Sequence, residues 1–205
     1  MEGFRSIGNW RGIPVAVHWT VLLSLPWAYY QTKSVYDSVL ICLAYFTLIG
    51  AHEAGHALVA RLRNTGVAEI RLYLFHGQCV HDAPYSEADD VFIAWGGVLA
   101  QFALLGAALI IQGGLQAYAP AAMPWAKPVL WVFISVNIAT AILNLIPVPP
   151  LDGARAWRVI ALAREQIRAK YQPLLQRRRA NKERGLQIKS KKLADEIIGR
   201  LREKE

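Results

Sequence analysis

The sequence predicts an all-α polytopic membrane protein: four transmembrane helices, a short cytoplasmic β-strand or hairpin element, and a basic helical C-terminal tail. Three observations lead there. First, 54% of the 205 residues are hydrophobic and mean hydropathy is +0.24, yet the formal net charge is +8, a combination foreign to ordinary soluble domains. Second, the two properties are segregated along the chain. Apolar segments occupy residues 13–30, 35–62, 91–116 and 129–148, while charge collects after Asp152. Each segment holds about 18 or more mostly apolar residues, the helical length that crosses a ~30 Å hydrocarbon layer. Third, in AEIRLYLF the residues Ile70, Leu72 and Leu74 alternate with Arg71 and Tyr73, the period of a half-buried strand.

The first apolar segment follows Arg5 and Arg11 as a secretory signal would, but PWAYYQTK lacks the small residues of a cleavage site, so it reads as an uncleaved helix. Orientation follows from the basic residues near helix ends. Arg5, Arg11, Arg61, Arg63, Arg71, Arg155, Arg158, Arg164, Arg168 and Lys170 fall on one side, against Lys33 and Lys127 on the other. Both termini are therefore expected in the cytoplasm, in a multi-pass protein of the prokaryotic plasma membrane. Trp27, Tyr29, Tyr30, Tyr118 and Trp125 at the outer ends, and Trp10, Trp95 and Trp157 at the inner ones, fit the aromatic belts of such a bilayer.

Cys42 in a membrane helix and Cys79 in a cytoplasmic loop are separated by bilayer depth, so no disulfide is expected. The organisation reads as a transmembrane core, residues 1–157, and a cytoplasmic tail, residues 158–205. The tail begins as an amphipathic helix, meets Pro173, crosses RRRANKER and ends helical. A solvated juxtamembrane helix is the commoner meaning of such a charge run than anionic-lipid or nucleic-acid binding; no nucleic-acid partner is expected.

Within the second segment, LIGAHEAGHALVARL sets two histidines and a glutamate among residues otherwise suited to lipid. Ionisable groups at membrane depth are costly and need a partner, a cavity or a metal. His52 and His56 stand i, i+4 on one helical face and can grip a single ion. Glu53 lies about 100° around the helix, beside that ion. This is the HExxH arrangement, in which the glutamate acts as general base on zinc-activated water. His52 is nine residues before Arg61, or ~14 Å along the helix, so the site lies within the membrane, nearer the cytoplasm.

A catalytic zinc commonly takes three protein ligands and leaves one position for water. NLIPVPPLDG ends the fourth segment on the same side and carries Asp152. Pro147, Pro149 and Pro150 break the helix there, leaving backbone that membrane depth tolerates only where it lines protein or water. Asp152 could reach the zinc from such a loop; its alternative role is N-cap of the helix that follows. Water is expected to enter past the proline-broken segment and the small residues Gly96 and Gly97.

HEAGH and NLIPVPPLDG, in this order and at matching depth, resemble the two defining motifs of the site-2 protease family of intramembrane zinc metalloproteases. GIPVAVHWTVLLSL, GVAEIRLYLFHG and GVLAQ add to a resemblance that covers about residues 12 to 157. It implies one zinc per chain held by His52, His56 and Asp152, with Glu53 as catalytic base and Asn144 as a polar group near the scissile carbonyl. Where the family often has Gly-Pro and Asn in the third helix, this chain has Gly97, Val98 and Gln101; where Gly-Gly is usual after the second helix, it has His76 and Gly77.

The expected activity is hydrolysis of peptide bonds within or near transmembrane segments of membrane-protein substrates, single-span ones above all, in a lipid bilayer. Strand addition of an unwound substrate to the edge of AEIRLYLF would present the bond. A catalytically silent membrane-helix-binding relative is the alternative, then a metal transporter using His18, Asp37, His52 and Glu53. HGQCVH offers His76, Cys79 and His81 as a second metal site only if a turn brings them together, and His18 is read as a polar contact within the bundle or a neighbour of the site. Substrate identity, oligomeric state and regulator are not encoded legibly.

Overall fold

The segment that reads as a first membrane helix is a strand, a turn and a short helix instead. In the computed structural model, which describes residues 3–202 and side chains up to Lys191, strand β1 (Phe4–Trp10) turns back into β2 (Ile13–His18). A 3-10 turn over Trp19–Leu23 then leads to α1, the nine residues Ser24–Thr32. Hydropathy cannot separate a buried strand from a membrane helix, but the alternation of Ile13, Val15 and Val17 can. These β-branched side chains fit a pleated surface, and β2 pairs in parallel with β3 (Val67–Leu72), Val15 opposite Ile70 and Val17 opposite Leu72.

β3 in turn pairs antiparallel with β4 (Gly77–His81), completing a four-stranded sheet of order β1-β2-β3-β4. The expected hairpin is thus half of a larger sheet, and the fold is not all-α. It is mainly helical with a small mixed sheet. β3 lies between two partners, so the free edge facing outward on this side belongs to β4. Ile70 and Leu72 are buried as their alternation predicts, packing with Ile13 from β2 and with Ile49 and Ala57 from the helix Val35–Leu62.

Among the described residues, three helical stretches, not four, are long and apolar enough to cross a membrane: Val35–Leu62, Glu87–Tyr118 and Pro120–Asn144. The first is α2 and the second α3. Ser34 caps α2 by accepting from the Asp37 N–H, and Ser86 caps α3 by accepting from the Asp89 N–H, which satisfies amides the helix itself cannot. The third stretch joins α4 (Met123–Trp131), a π-helical turn over Val132–Val136, and α5 (Asn137–Asn144).

Helices α2 and α3 meet at glycines. A Cβ on Gly96 would stand 2.5 Å from the Gly55 carbonyl oxygen, closer than atoms can pack, so the backbones touch only because neither residue has a side chain. This contact fills Gly96's surroundings with backbone and corrects the expectation of a water path there.

After α5 the chain turns through residues 145–152 into α6 (Gly153–Ala156) and α7 (Arg158–Arg202). Trp157 Nε1 donates to the Leu145 carbonyl at 2.6 Å and Trp95 Nε1 to that of Ala156 at 3.0 Å, folding the broken end of the span back against α3. The chain divides into two compact units, Met1–Val159 and Ile160–Glu205. From Ile160 to Arg202 the second consists of α7, which passes through Pro173 and RRRANKER without a break; flanking Leu, Gln, Arg and Lys are good helix formers that carry it across the missing N–H.

Candidate metal centre

His52 and His56 project from the middle of α2, where regular helical geometry brings their rings to a centroid distance of 4.6 Å. Asp152 reaches them from the turn after α5. Its Oδ2 lies 3.0 Å from His52 Nε2 and 3.1 Å from His56 Nε2, and the two Nε2 atoms are 3.0 Å apart. All three residues are buried. Asp152 stands at the N-cap of α6 yet makes no side-chain capping bond, so the helix-cap alternative is not realised.

The donor chemistry suits a divalent cation. Four-coordinate zinc with bonds of about 2.0–2.2 Å keeps its donor atoms roughly 3.3 Å apart, close to this triangle. His56 Nδ1 donates to the Ile93 carbonyl at 2.7 Å, which leaves the Nε2 lone pair aimed inward. The second carboxylate oxygen is also held: Arg155 Nη2 donates to Asp152 Oδ1 at 3.0 Å while Arg155 Nη1 donates to Asp90 Oδ1 on α3 at 3.3 Å. Among the described residues, His52, His56 and Asp152 are the three metal-ligating side chains that could share an ion.

Room for the rings comes from α3. A Cβ on Gly97 would lie 2.5 Å from His56 Nε2 and 2.6 Å from His52 Cε1, so this glycine forms the floor of the site and is no water channel either. The opening lies elsewhere: a cavity of about 690 Å³ is lined by the two histidines, Glu53, Asn144, Pro150 and Asp152 on one side and by residues of β4 on the other. The proline-broken turn therefore does border the cavity, as the sequence suggests.

Glu53 is buried and faces β4, where a Cβ on Gly77 would stand 2.6 Å from its carboxylate Oε1. Asn144 Nδ2 stands 3.4 Å from His52 Nε2, at the rim of the triangle. Each residue expected at the site is thus within the one cavity.

The second metal site is not formed among the described residues. His76 stacks on Tyr73 at 4.5 Å and His81 Nδ1 donates to the Asp82 carbonyl at 2.7 Å, while burial pushes the Cys79 thiol up to about 12, away from the thiolate a metal binds. His18 caps the 3-10 turn through Thr20 and packs its ring on Phe4 and Tyr73. It lies outside the cavity, as does Asp37, so the ion path that a transporter would need is not assembled here.

Two residues around the ligands, Gln101 and Arg155, were not singled out by sequence reasoning as supporting groups. The signals existed: a lone amide within the apolar run 91–111, and an arginine one helical turn past Asp152.

The comparisons agree with this geometry. Residues 107–179, which contain Asp152, match the model of peptidase family M50. Over 171 residues the chain is 31% identical to Rip3 of Mycobacterium tuberculosis, named as a zinc metalloprotease, covering 74% of this chain and 42% of that one. The chain is similar to members of peptidase family M50, the site-2 protease family. A zinc metalloprotease of Methanocaldococcus jannaschii is 27% identical over 157 residues, 73% of this chain and 43% of that relative. The chain spans less than half the length of these curated relatives. The solved site-2 protease from the same archaeon superposes with a TM-score of 0.59 at 24% identity, over 77% of this chain and 71% of that one, a likeness of fold.

Proposed function

We propose that this chain is an intramembrane zinc endopeptidase that cuts membrane-protein substrates, single-span ones above all, within or near their transmembrane segments. One observation carries the reading: two imidazole nitrogens and a carboxylate oxygen, from elements about a hundred residues apart, converge at 3.0–3.1 Å inside an apolar helical body. His52, His56 and Asp152 would hold one zinc, which when bound supplies a Lewis acid able to bring the pKa of water from 15.7 towards about 7.

The chain's own groups then have distinct tasks. Glu53, in the same cavity, takes the proton of the attacking water and passes it to the leaving amine. The Asn144 amide donates to the oxygen on which negative charge develops, in surroundings where such a bond counts for more than in water. Burial of His52, Glu53, His56 and Asp152 restricts bulk solvent. A substrate helix hides its peptide bonds in its own i to i−4 ladder, so it must unwind, and the free edge of β4 beside Glu53 is the surface on which the extended segment pairs. Exchange of single amides for esters in a peptide substrate, next to the scissile bond, then slows turnover about fivefold per lost hydrogen bond; equal rates would remove the edge from the mechanism.

The active side faces the cytoplasm, with both termini there and the bilayer as solvent for α2, α3 and the α4–α5 span. Co-expression with candidate single-span proteins, native chain against Glu53→Gln, tests the catalytic reading. Processing should fall by about two to four orders of magnitude. Equal processing by the variant would leave a silent helix-binding protein in its place.

A further inference from the structure

A buried polar chain ties the third span to one of the two histidines. Thr140 on α5 has a single hydroxyl hydrogen, and helix carbonyls claim it: Val136 O and Asn137 O both lie 3.0 Å from its Oγ1. Towards α3 the hydroxyl oxygen therefore accepts, from Gln101 Nε2 at 2.9 Å. The direction of that bond decides which end of the Gln101 carboxamide faces the site. It is Oε1, which carries no hydrogen, and it stands 3.1 Å from His52 Nδ1. Nδ1 must then be the protonated nitrogen, and Nε2, the atom that meets Asp152 and His56, keeps its lone pair.

Gln101 is only 2% exposed, and its backbone carbonyl accepts from Asn137 Nδ2 at 2.9 Å, so both its ends are fixed from the neighbouring span. We propose that Gln101, oriented by Thr140, is the positioning residue that holds His52 in its metal-ligating form. The other histidine does not depend on a side chain for this, since His56 Nδ1 is served by the Ile93 backbone carbonyl. His52 is thus the ligand whose readiness is set by α3 and α5 together. The proposal rests on His52 as a metal ligand.

The test uses the full chain in detergent at one neutral pH, with the zinc dissociation constant measured by competition against a chelating dye and no substrate present. Gln101→Met, similar in shape but without the acceptor, should bind zinc about 10- to 100-fold more weakly than native protein. Thr140→Val should weaken it in the same direction, and Thr140→Ser, which keeps the hydroxyl, should restore it. Because Thr140 does not touch the histidine and valine matches its shape, this pair separates orientation from packing. Zinc affinity of Gln101→Met within about twofold of native overturns the proposal, as does a Thr140→Ser variant as weak as Thr140→Val. His52→Ala serves as reference: unchanged affinity there would defeat the ligand assignment itself, a failure distinct from loss in His52→Ala without loss in Gln101→Met.

Discussion

The two sides of the candidate metal centre are built by opposite means. On one, His52 and His56 share a face of α2 because a regular helix repeats every ~3.6 residues, and their relation needs nothing beyond local hydrogen bonding. On the other, Asp152 arrives from a turn where three prolines have ended the helix, and its place is fixed by contacts that no local rule supplies: Arg155 bridging it to Asp90, and Trp157 and Trp95 clasping the flanking backbone. The difference teaches where each side is vulnerable. The helical side fails by losing a ligand or its space; the turn side fails also by losing its supports.

The largest effect is expected from removing a helical ligand. His56→Ala should weaken zinc binding by more than ~100-fold, beyond what loss of a supporting group does, measured by metal content after dialysis against a weak chelator. Asp152→Ala should follow at about 100-fold; full occupancy in that variant would break the comparison by making the turn dispensable. Gly97→Ala should come next, because its methyl group is driven against both rings. Overpacking of this kind costs about 1–3 kcal/mol, so a zinc affinity some tenfold lower, with a matching drop in thermal stability, is the outcome to look for. Arg155→Ala should be the mildest. The arginine is partly solvent-exposed, so a loss of about tenfold or less in zinc affinity is expected, with α2 and α3 retained by circular dichroism. A larger effect than Gly97→Ala would mean that the turn, and not the helix, is the delicate half.

The same division governs what could be read in advance. The spans α2 and α3 were legible because long apolar runs with serine caps admit few alternatives. The stretch from residue 13 to residue 30 reads as one membrane helix because a hydropathy window averages over the alternation of Ile13, Val15 and Val17, and because β3, which encloses β2 on the side away from β1, lies some fifty residues further on. The strand character of Ile70 and Leu72 was legible, but not that β3 would be enclosed and leave the free edge to β4. At the site, the HExxH spacing announces itself within five residues. Gln101 and Arg155 do not, because their meaning depends on which atoms of another helix they face.

By itself the sequence determined long apolar helices, two histidines one helical turn apart with a neighbouring carboxylate, and a proline-broken segment carrying a further acid, all of them consequences of local periodicity and backbone sterics. Only the tertiary structure decided that Asp152 turns from helix capping to the imidazoles, that two facing glycines let α2 and α3 touch, and that β4 lies over Glu53. These are choices among packings of distant elements, and their free energies come from contacts that do not exist until the chain has folded.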